Sequence, residues 1–159
     1  GLDPTILAQM SWSDTKRPSL PLDGDFNLSH SGGLIACAYS PDVRLGLDVE
    51  LVRQVPLEDI VQALSPEERS TLHAATNSDI EFFRIWTFKE AVIKADGRGV
   101  GLDLPAIDSL GDRVRVDDSQ WHVRRLQLHD GYDAHLASDR AELAVDSRGV
   151  TLDELLTCQ

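Results

Sequence analysis

Apolar and polar positions alternate in short runs through the first third of the chain. Residues 33–39 are typical of a buried strand, residues 40–42 of a turn, and residues 44–51 of a second strand, so a β-hairpin is predicted there. Residues 6–10 could form a short strand or a helix remnant within an otherwise irregular start. The pattern therefore becomes regular only from about Phe26 onward.

Helical periodicity follows in the middle of the chain. Ser65 and Ser78 are each followed by glutamate three residues later, which is the capping-box pattern, and Asp96-Gly97 is a stop signal. The second of these helices is predicted over 78–95. Its apolar side chains recur at helical spacing on one face: Phe82, Ile85, Trp86, Val92 and Ile93.

Alternating apolar positions return in the last third of the chain. They predict strands near 114–116, 121–128, 133–137 and 142–145, with a hairpin turn at Asp130-Gly131 and either one helical turn or a frayed end at 152–156. The predicted fold class is therefore α/β (α+β), with an antiparallel sheet packed against the long helix.

Composition narrows the class of protein. The 159 residues are 42% hydrophobic and 26% charged, which suits one globular core. A net charge of −12 argues against nucleic-acid and anionic-membrane partners, and no apolar run is long enough to span a membrane. Cys37 is expected to be a small core residue, and Cys158 has no metal-like spacing from it. With no signal-peptide pattern, the expected location is cytoplasmic.

Carboxylates supply the first candidate chemistry. Asp48 and Glu50 are two apart in a predicted strand, so they share a face; they repel unless a cation lies between them, and magnesium suits such oxygen ligands. A solvated strand face is the alternative. Glu90 and Lys94 share one flank of the long helix and could equally be a surface ion pair.

Two further features stay open from the residues alone. Lys89 falls within the apolar face of the long helix, where it either extends its stem to solvent or is held by a carboxylate or a phosphate. The segment Ser29-His30-Ser31-Gly32-Gly33 is a polar turn or a phosphate cradle. A serine hydrolase is less favoured, because adjacent Ser29 and His30 in an extended chain point to opposite sides.

The order of these motifs is more specific than any one of them. The series consists of Arg17-Pro18, Phe26-Asn27-Leu28-Ser29-His30-Ser31, Gly46-Leu47-Asp48-Val49-Glu50 and Trp86-Thr87-Phe88-Lys89-Glu90-Ala91, with Lys94 and Gly97-Arg98-Gly99 after them. It resembles the 4′-phosphopantetheinyl transferases of the surfactin-synthetase-activating type. The resemblance runs from about Lys16 to Pro105.

The resemblance implies an activity. It is the Mg²⁺-dependent transfer of 4′-phosphopantetheine from coenzyme A to a serine of an apo acyl or peptidyl carrier protein, the reaction of a holo-[acyl-carrier-protein] synthase. Asp48, Glu50 and Glu90 would hold Mg²⁺, and Glu90 and Lys94 would be catalytic. The implied coenzyme A contacts are Arg17, Ser29, His30, Lys89 and Lys94. The alternative is a catalytically idle module that binds coenzyme A or a carrier protein.

The resemblance is incomplete at the N-terminal end. Family members usually have two similar lobes, so residues 1–25 are expected to be a remnant of the first lobe and residues 26–159 the transferase domain. Arg17 stands where the family usually has lysine. Three explanations stay open: a domain of a larger synthase, a truncated chain, or a short form that forms a homo-oligomer such as a trimer to supply the missing lobe.

Overall fold

The computed structural model describes residues 9–12, 17–19, 21, 23–56, 60–151 and 153–154. The elements expected at 6–10 and 152–156 fall mainly outside these residues, as does Cys158. Within the described ranges, no helix combines the length and the apolar character that crossing a membrane requires.

Antiparallel strands and helices make up the part of the chain that the structure describes. The strands are β1 (Ser11–Trp12), β2 (Pro18–Ser19), β3 (Asp25–Ser31), β4 (Leu34–Ser40), β5 (Leu45–Leu51), β6 (Arg113–Val116), β7 (Ser119–Leu126) and β8 (Tyr132–Ser138). The helices are α1 (Pro66–Ala74) and α2 (Ser78–Asp96), with 3₁₀ turns at Val61–Ala63, Gly99–Gly101 and Leu104–Ala106. A four-stranded sheet in the order β5-β8-β7-β6 packs against α2, beside the pairs β1–β2 and β3–β4. The predicted fold class is confirmed.

The strand pairing differs from the predicted hairpin over 33–51. Strand β4 pairs with β3, whereas β5 pairs with β8 in the register Asp48↔His135. The reason is that β4 packs over one face of β5, with α2 on the other face, so β4 is not its neighbour in the sheet. The strand expected at 142–145 is irregular chain instead, and Leu143 packs there against the core.

Both helices begin at capped positions. Ser65 forms the predicted capping box with Glu68 at the start of α1. The N-cap of α2 is Asn77 rather than the predicted Ser78, because the Asn77 side chain accepts the N–H of Ile80 at 3.1 Å. Gly97 ends α2 with a left-handed φ of 82°, as the stop signal indicates.

Cys37 is exposed, which corrects the expectation of a core residue. Alternation along β4 explains the difference: Ala36 is buried against the sheet, so its neighbours Ile35 and Cys37 point outward. The outward face of β4 also carries Tyr39, which is 59% exposed.

Strand β5 lies at the edge of its sheet, where alternate N–H groups have no neighbouring strand. Side chains of β3 replace that strand. Four of them accept these N–H groups at 2.7–3.2 Å: Asp25 from Leu45, Asn27 from Leu47, Ser29 from Val49 and Ser31 from Leu51. We call Asp25, Asn27, Ser29 and Ser31 the edge ladder. It fixes β3 to β5 residue by residue without a shared backbone ladder.

Helix α2 packs very closely against one face of β5. A Cβ atom added to Gly46 would lie 2.0 Å from the carbonyl oxygen of Ala91 and 2.2 Å from the nitrogen of Ala95. No side chain fits between these backbones. Gly46 therefore sets the distance between the helix and the strand that carries Asp48.

A buried ion pair joins α1 to α2. The Lys89 ammonium lies 2.8 Å from Glu68 Oε2, and both side chains are fully buried. Lys89 also donates to the carbonyl oxygens of Leu104 at 2.6 Å and Ile107 at 2.8 Å. Glu68 Oε1 accepts the Ser109 hydroxyl at 2.7 Å. Both charged groups, the Lys89 ammonium and the Glu68 carboxylate, are therefore hydrogen-bonded, as buried charges must be.

We predict that Lys89→Met destabilises the protein by about 3–5 kcal/mol, because Glu68 is left as an uncompensated buried charge. The double variant Glu68→Gln/Lys89→Met should be more stable than the single variant, since the stranded charge is gone. Urea unfolding of the three proteins measures both effects. A double variant as unstable as Lys89→Met would show that charge burial is not the cause.

Gly46→Ala should lower the free energy of unfolding by about 3 kcal/mol, because the added methyl group forces α2 away from β5. Gly149→Ala is the matched control, since nothing lies within 4 Å of a Cβ atom there. Thermal and urea unfolding measure the difference. Equal stability of the two variants would contradict the close approach at Gly46.

Candidate active site

A cavity of about 340 Å³ opens beside β2, β3 and the C-terminal half of α2. Glu90 and Lys94 contribute its charged groups from α2, and Arg17 closes one side. Its apolar lining comes from Leu28, Ile93, Leu102 and Leu104. The volume and the mixed lining suit a small-molecule site.

Asp48 is at the centre of the polar cluster and is buried. Its Oδ1 atom accepts the Ser29 hydroxyl at 2.9 Å and the Lys94 ammonium at 2.7 Å, and Lys94 is also 3.0 Å from Ser29 Oγ. The second oxygen, Oδ2, is buried without a hydrogen-bond partner among the described residues. Its contact with Lys94 shows that Asp48 faces α2, whereas sequence spacing predicts only that Asp48 shares a face with Glu50.

Glu90 is half-buried on α2, one helical turn before Lys94. Burial raises the pKa of the Glu90 carboxyl above its ordinary value of 4.5, and the negative charges of Asp48 and Glu50 raise it further. Lys94 partly opposes that rise in pKa. Asp48 and Glu50 therefore act electrostatically on Glu90.

Glu50 is held by a residue of β3. The Ser31 hydroxyl donates to Glu50 Oε2 at 2.5 Å and accepts the N–H of Leu51 at 3.1 Å. The sequence predicts Ser31 only as part of a polar turn or a phosphate cradle, and not as a partner of Glu50. The signal that could have found it is the two-residue spacing of polar side chains at 25, 27, 29 and 31, which marks one face of a strand.

The carboxylates fit a hard divalent cation by their chemistry. Asp48, Glu50 and Glu90 supply oxygen ligands only, and the partnerless Asp48 Oδ2 is an acceptor that a cation would satisfy. The Lys94 ammonium now neutralises part of the charge on Asp48. Across the part of the chain that the structure describes, no group of three or more His, Cys, Asp or Glu side chains forms a ready-made metal site.

Arg17 borders the cavity but points into the protein. Its guanidinium donates to the carbonyl oxygen of Lys94 and to Asp25, and to the carbonyl oxygen of Leu45 at 2.8 Å. Arg17 thereby ties β2 to the C-terminal end of α2, where a cation is favoured by the exposed carbonyl groups.

Two other residues assigned to coenzyme A lie away from the carboxylates. Lys89 is fully buried against Glu68, so its assignment as a nucleotide contact is wrong in this structure; of the two anions considered, a carboxylate holds it. Burial lowers the pKa of Lys89, and Glu68 opposes that change. His30 is exposed on the face of β3 opposite Ser29. Ser29 and His30 therefore do not pair, as their adjacency predicts.

Comparison with known proteins identifies the family. A model of the 4′-phosphopantetheinyl transferase superfamily matches residues 44–146, well over half of the chain. The chain belongs to this superfamily. The match includes β5, both helices and strands β6–β8, and so contains all three carboxylates.

Named relatives of this superfamily extend the match. The chain is 29% identical over 151 residues to 4′-phosphopantetheinyl transferase Sfp of Bacillus subtilis (strain 168), covering 87% of this chain and 65% of the relative. It is 33% identical over 138 residues to a second Bacillus subtilis 4′-phosphopantetheinyl transferase, covering 84% and 57%. The chain thus spans between 57% and 65% of the length of these two relatives.

A solved structure was also compared. The holo-[acyl-carrier-protein] synthase (AcpS) of Thermotoga maritima gives a TM-score of 0.46 at 19% identity, covering 59% of this chain and 61% of that protein.

The raised pKa of Glu90 predicts a pH dependence of stability. Its folded-state pKa lies above 4.5, so the stability linked to its protonation is present below about pH 4.5 and is lost as pH rises through the folded value. Glu90→Gln should therefore gain stability relative to wild type as pH rises from 4.5 to 7, in buffer free of divalent cations.

Urea unfolding across that pH range measures the difference. Glu67→Gln, which changes an exposed carboxylate on α1, is the matched control and should show a much smaller trend. A Glu90→Gln advantage that stays constant or shrinks with pH would contradict the burial of a charged Glu90.

Proposed function

We propose that this chain transfers the 4′-phosphopantetheine arm of coenzyme A to a serine of an apo acyl or peptidyl carrier protein and releases 3′,5′-ADP. The observation that carries the proposal is that Glu90 and Lys94 line one cavity and that Lys94 contacts Asp48, in a member of the 4′-phosphopantetheinyl transferase superfamily. A carboxylate and a lysine beside a small-molecule cavity are the groups that such a transfer needs.

The reaction makes one bond to phosphorus and breaks another. The serine oxygen of the carrier attacks the phosphorus that bears pantetheine, and the bond from that phosphorus to the bridging oxygen of the pyrophosphate breaks. The serine proton passes to a base, and 3′,5′-ADP leaves with both electrons of the broken bond. The residues must therefore accept a proton on one side and neutralise charge on the other.

Glu90 is the proposed base. Its raised pKa makes the carboxylate a better proton acceptor than an exposed glutamate, and its half-buried position limits competition from water. Lys94 is the proposed partner of the leaving group, since its ammonium lines the cavity one helical turn further along α2. Asp48 and Ser29 hold that ammonium in place.

Magnesium completes the proposed site. Asp48, Glu50 and Glu90 would hold the ion, which when bound would neutralise charge on the pyrophosphate of coenzyme A. The orphaned Asp48 Oδ2 and the mutual repulsion of the carboxylates support this assignment. His30 and Arg17 stay proposed contacts of the nucleotide, together with Ser29.

A catalytically idle module is the second candidate. The Ser29 hydroxyl is already bonded to Asp48, and the Arg17 guanidinium to backbone carbonyl groups. Two proposed contacts of the nucleotide are thus engaged within the chain, which disfavours turnover; the alternative is a module that docks a carrier protein or coenzyme A. Binding of coenzyme A that is unaffected by Mg²⁺, with no transfer, would support this candidate.

Transfer is tested by incubating the full chain with coenzyme A, Mg²⁺ and several apo carrier proteins, and weighing the carriers by mass spectrometry. We expect a carrier to gain the mass of the arm only when Mg²⁺ is present. Glu90→Gln and Lys94→Met should each slow transfer by about 100-fold or more, because they remove the base and the charge on the leaving-group side.

Glu67→Gln is the control for the glutamate variant and should transfer at the wild-type rate, since it lies on the exposed surface of α1. No transfer to any carrier by the folded wild-type chain would overturn the proposed function. Undiminished transfer by Glu90→Gln would overturn the assignment of the base.

A further inference from the structure

The edge ladder does more than bind strand β5. Its last two members each make a second hydrogen bond, and in both cases the partner is a carboxylate of the Asp48–Glu50 pair. Ser29 donates to Asp48 Oδ1 at 2.9 Å and Ser31 donates to Glu50 Oε2 at 2.5 Å. The two serines thus repeat one arrangement, two residues apart on both strands.

The hydroxyl group of Ser31 can donate only to Glu50. A serine hydroxyl has a single hydrogen, and at Ser31 that hydrogen goes to Glu50, while the oxygen accepts the N–H of Leu51 at 3.1 Å. Since β5 fixes the Leu51 N–H, the accepting side of the oxygen is fixed as well. A short bond from a hydroxyl to a carboxylate is of the strong, charge-assisted kind. The backbone of β5 thus holds Ser31, and Ser31 in turn restrains the position of the Glu50 carboxylate.

Ser31 matters more to Glu50 than Ser29 does to Asp48. Asp48 is also held by Lys94 at 2.7 Å. Among the described residues, Ser31 is the one hydrogen-bond partner of the Glu50 carboxylate. Glu50 is half-buried and has several rotatable bonds, so without Ser31 the carboxylate would sample other rotamers.

We propose that Ser31 is a positioning residue that sets the Glu50 carboxylate for the binding of a divalent cation. The proposal rests on the proposed function through the assignment of Glu50 as a cation ligand. Partners that orient metal ligands commonly change metal affinity by about 10–100-fold when removed. Ser31 would act in this way through Glu50, without contact to the substrates.

The test measures cation binding separately from transfer. Mn²⁺ serves as the probe, and its free concentration is followed by electron paramagnetic resonance as the full chain is added, without coenzyme A. Ser31→Ala should weaken Mn²⁺ binding by about 10-fold. Ser31→Thr keeps the hydroxyl and should bind within about 3-fold of wild type. Ser138→Ala is the matched control, because it removes a buried serine whose hydroxyl bonds to the carbonyl oxygen of Arg140.

A double-mutant cycle separates positioning from a merely structural role. If Ser31 acts through Glu50, Ser31→Ala should weaken Mn²⁺ binding in the wild-type background and have no further effect in Glu50→Gln. Equal additional loss in both backgrounds would overturn the proposal. If Ser31→Ala does not fold, Ser31→Cys, whose thiol is a weak donor, takes its place and should also weaken binding.

The remaining outcomes distinguish this proposal from the proposed function. Wild-type affinity in folded Ser31→Ala overturns the role of Ser31 and leaves phosphopantetheinyl transfer standing. Absence of Mn²⁺ binding by the wild-type chain overturns the role of Ser31 as well. A Ser31-dependent Mn²⁺ site in a chain that transfers no arm supports the positioning role and overturns the proposed function.

Discussion

The free edge of β5 is the constraint on which the candidate site depends. On that side of β5 no strand among the described residues accepts the backbone N–H groups, and four side chains of β3 accept them instead. Because these four side chains are short, β3 must lie close to β5 and in a fixed register. The hydroxyl groups that satisfy β5 are then already beside its carboxylates. The same two hydroxyl groups, of Ser29 and Ser31, therefore bond to the backbone of β5 and to the carboxylates of Asp48 and Glu50.

The charge balance of the site follows from this arrangement. Asp48, Glu50 and Glu90 bring three carboxylates together, while Lys94 is the one ammonium group in contact with them among the described residues. Folding this cluster costs free energy, since like charges are brought together with partial burial. Packing elsewhere has to offset that cost, which is the usual relation between an active site and its scaffold.

Local patterns predicted the elements better than their partners. The spacing of Asp48 and Glu50 placed both on one face, and the capping box at Ser65 located the start of α1. The partner of β5 was not predictable, because turn signals at 40–42 favour a local hairpin and say nothing of β8. The edge ladder was not predictable for the same reason, because it forms on the edge of β5 that the pairing with β8 leaves free. Glu90 joined the site only through the ordered family motifs, since a helix carboxylate has no distinctive spacing.

The buried Lys89 has a consequence for its neighbour in sequence. Successive residues of an α-helix are separated by about 100° around its axis. Anchoring Lys89 between Glu68 and the carbonyl groups of Leu104 and Ile107 therefore fixes the rotation of α2 about that axis. Glu90 is thereby turned toward β5, with no bond of its own needed to hold that direction. The buried ion pair of Lys89 and Glu68 therefore also orients Glu90.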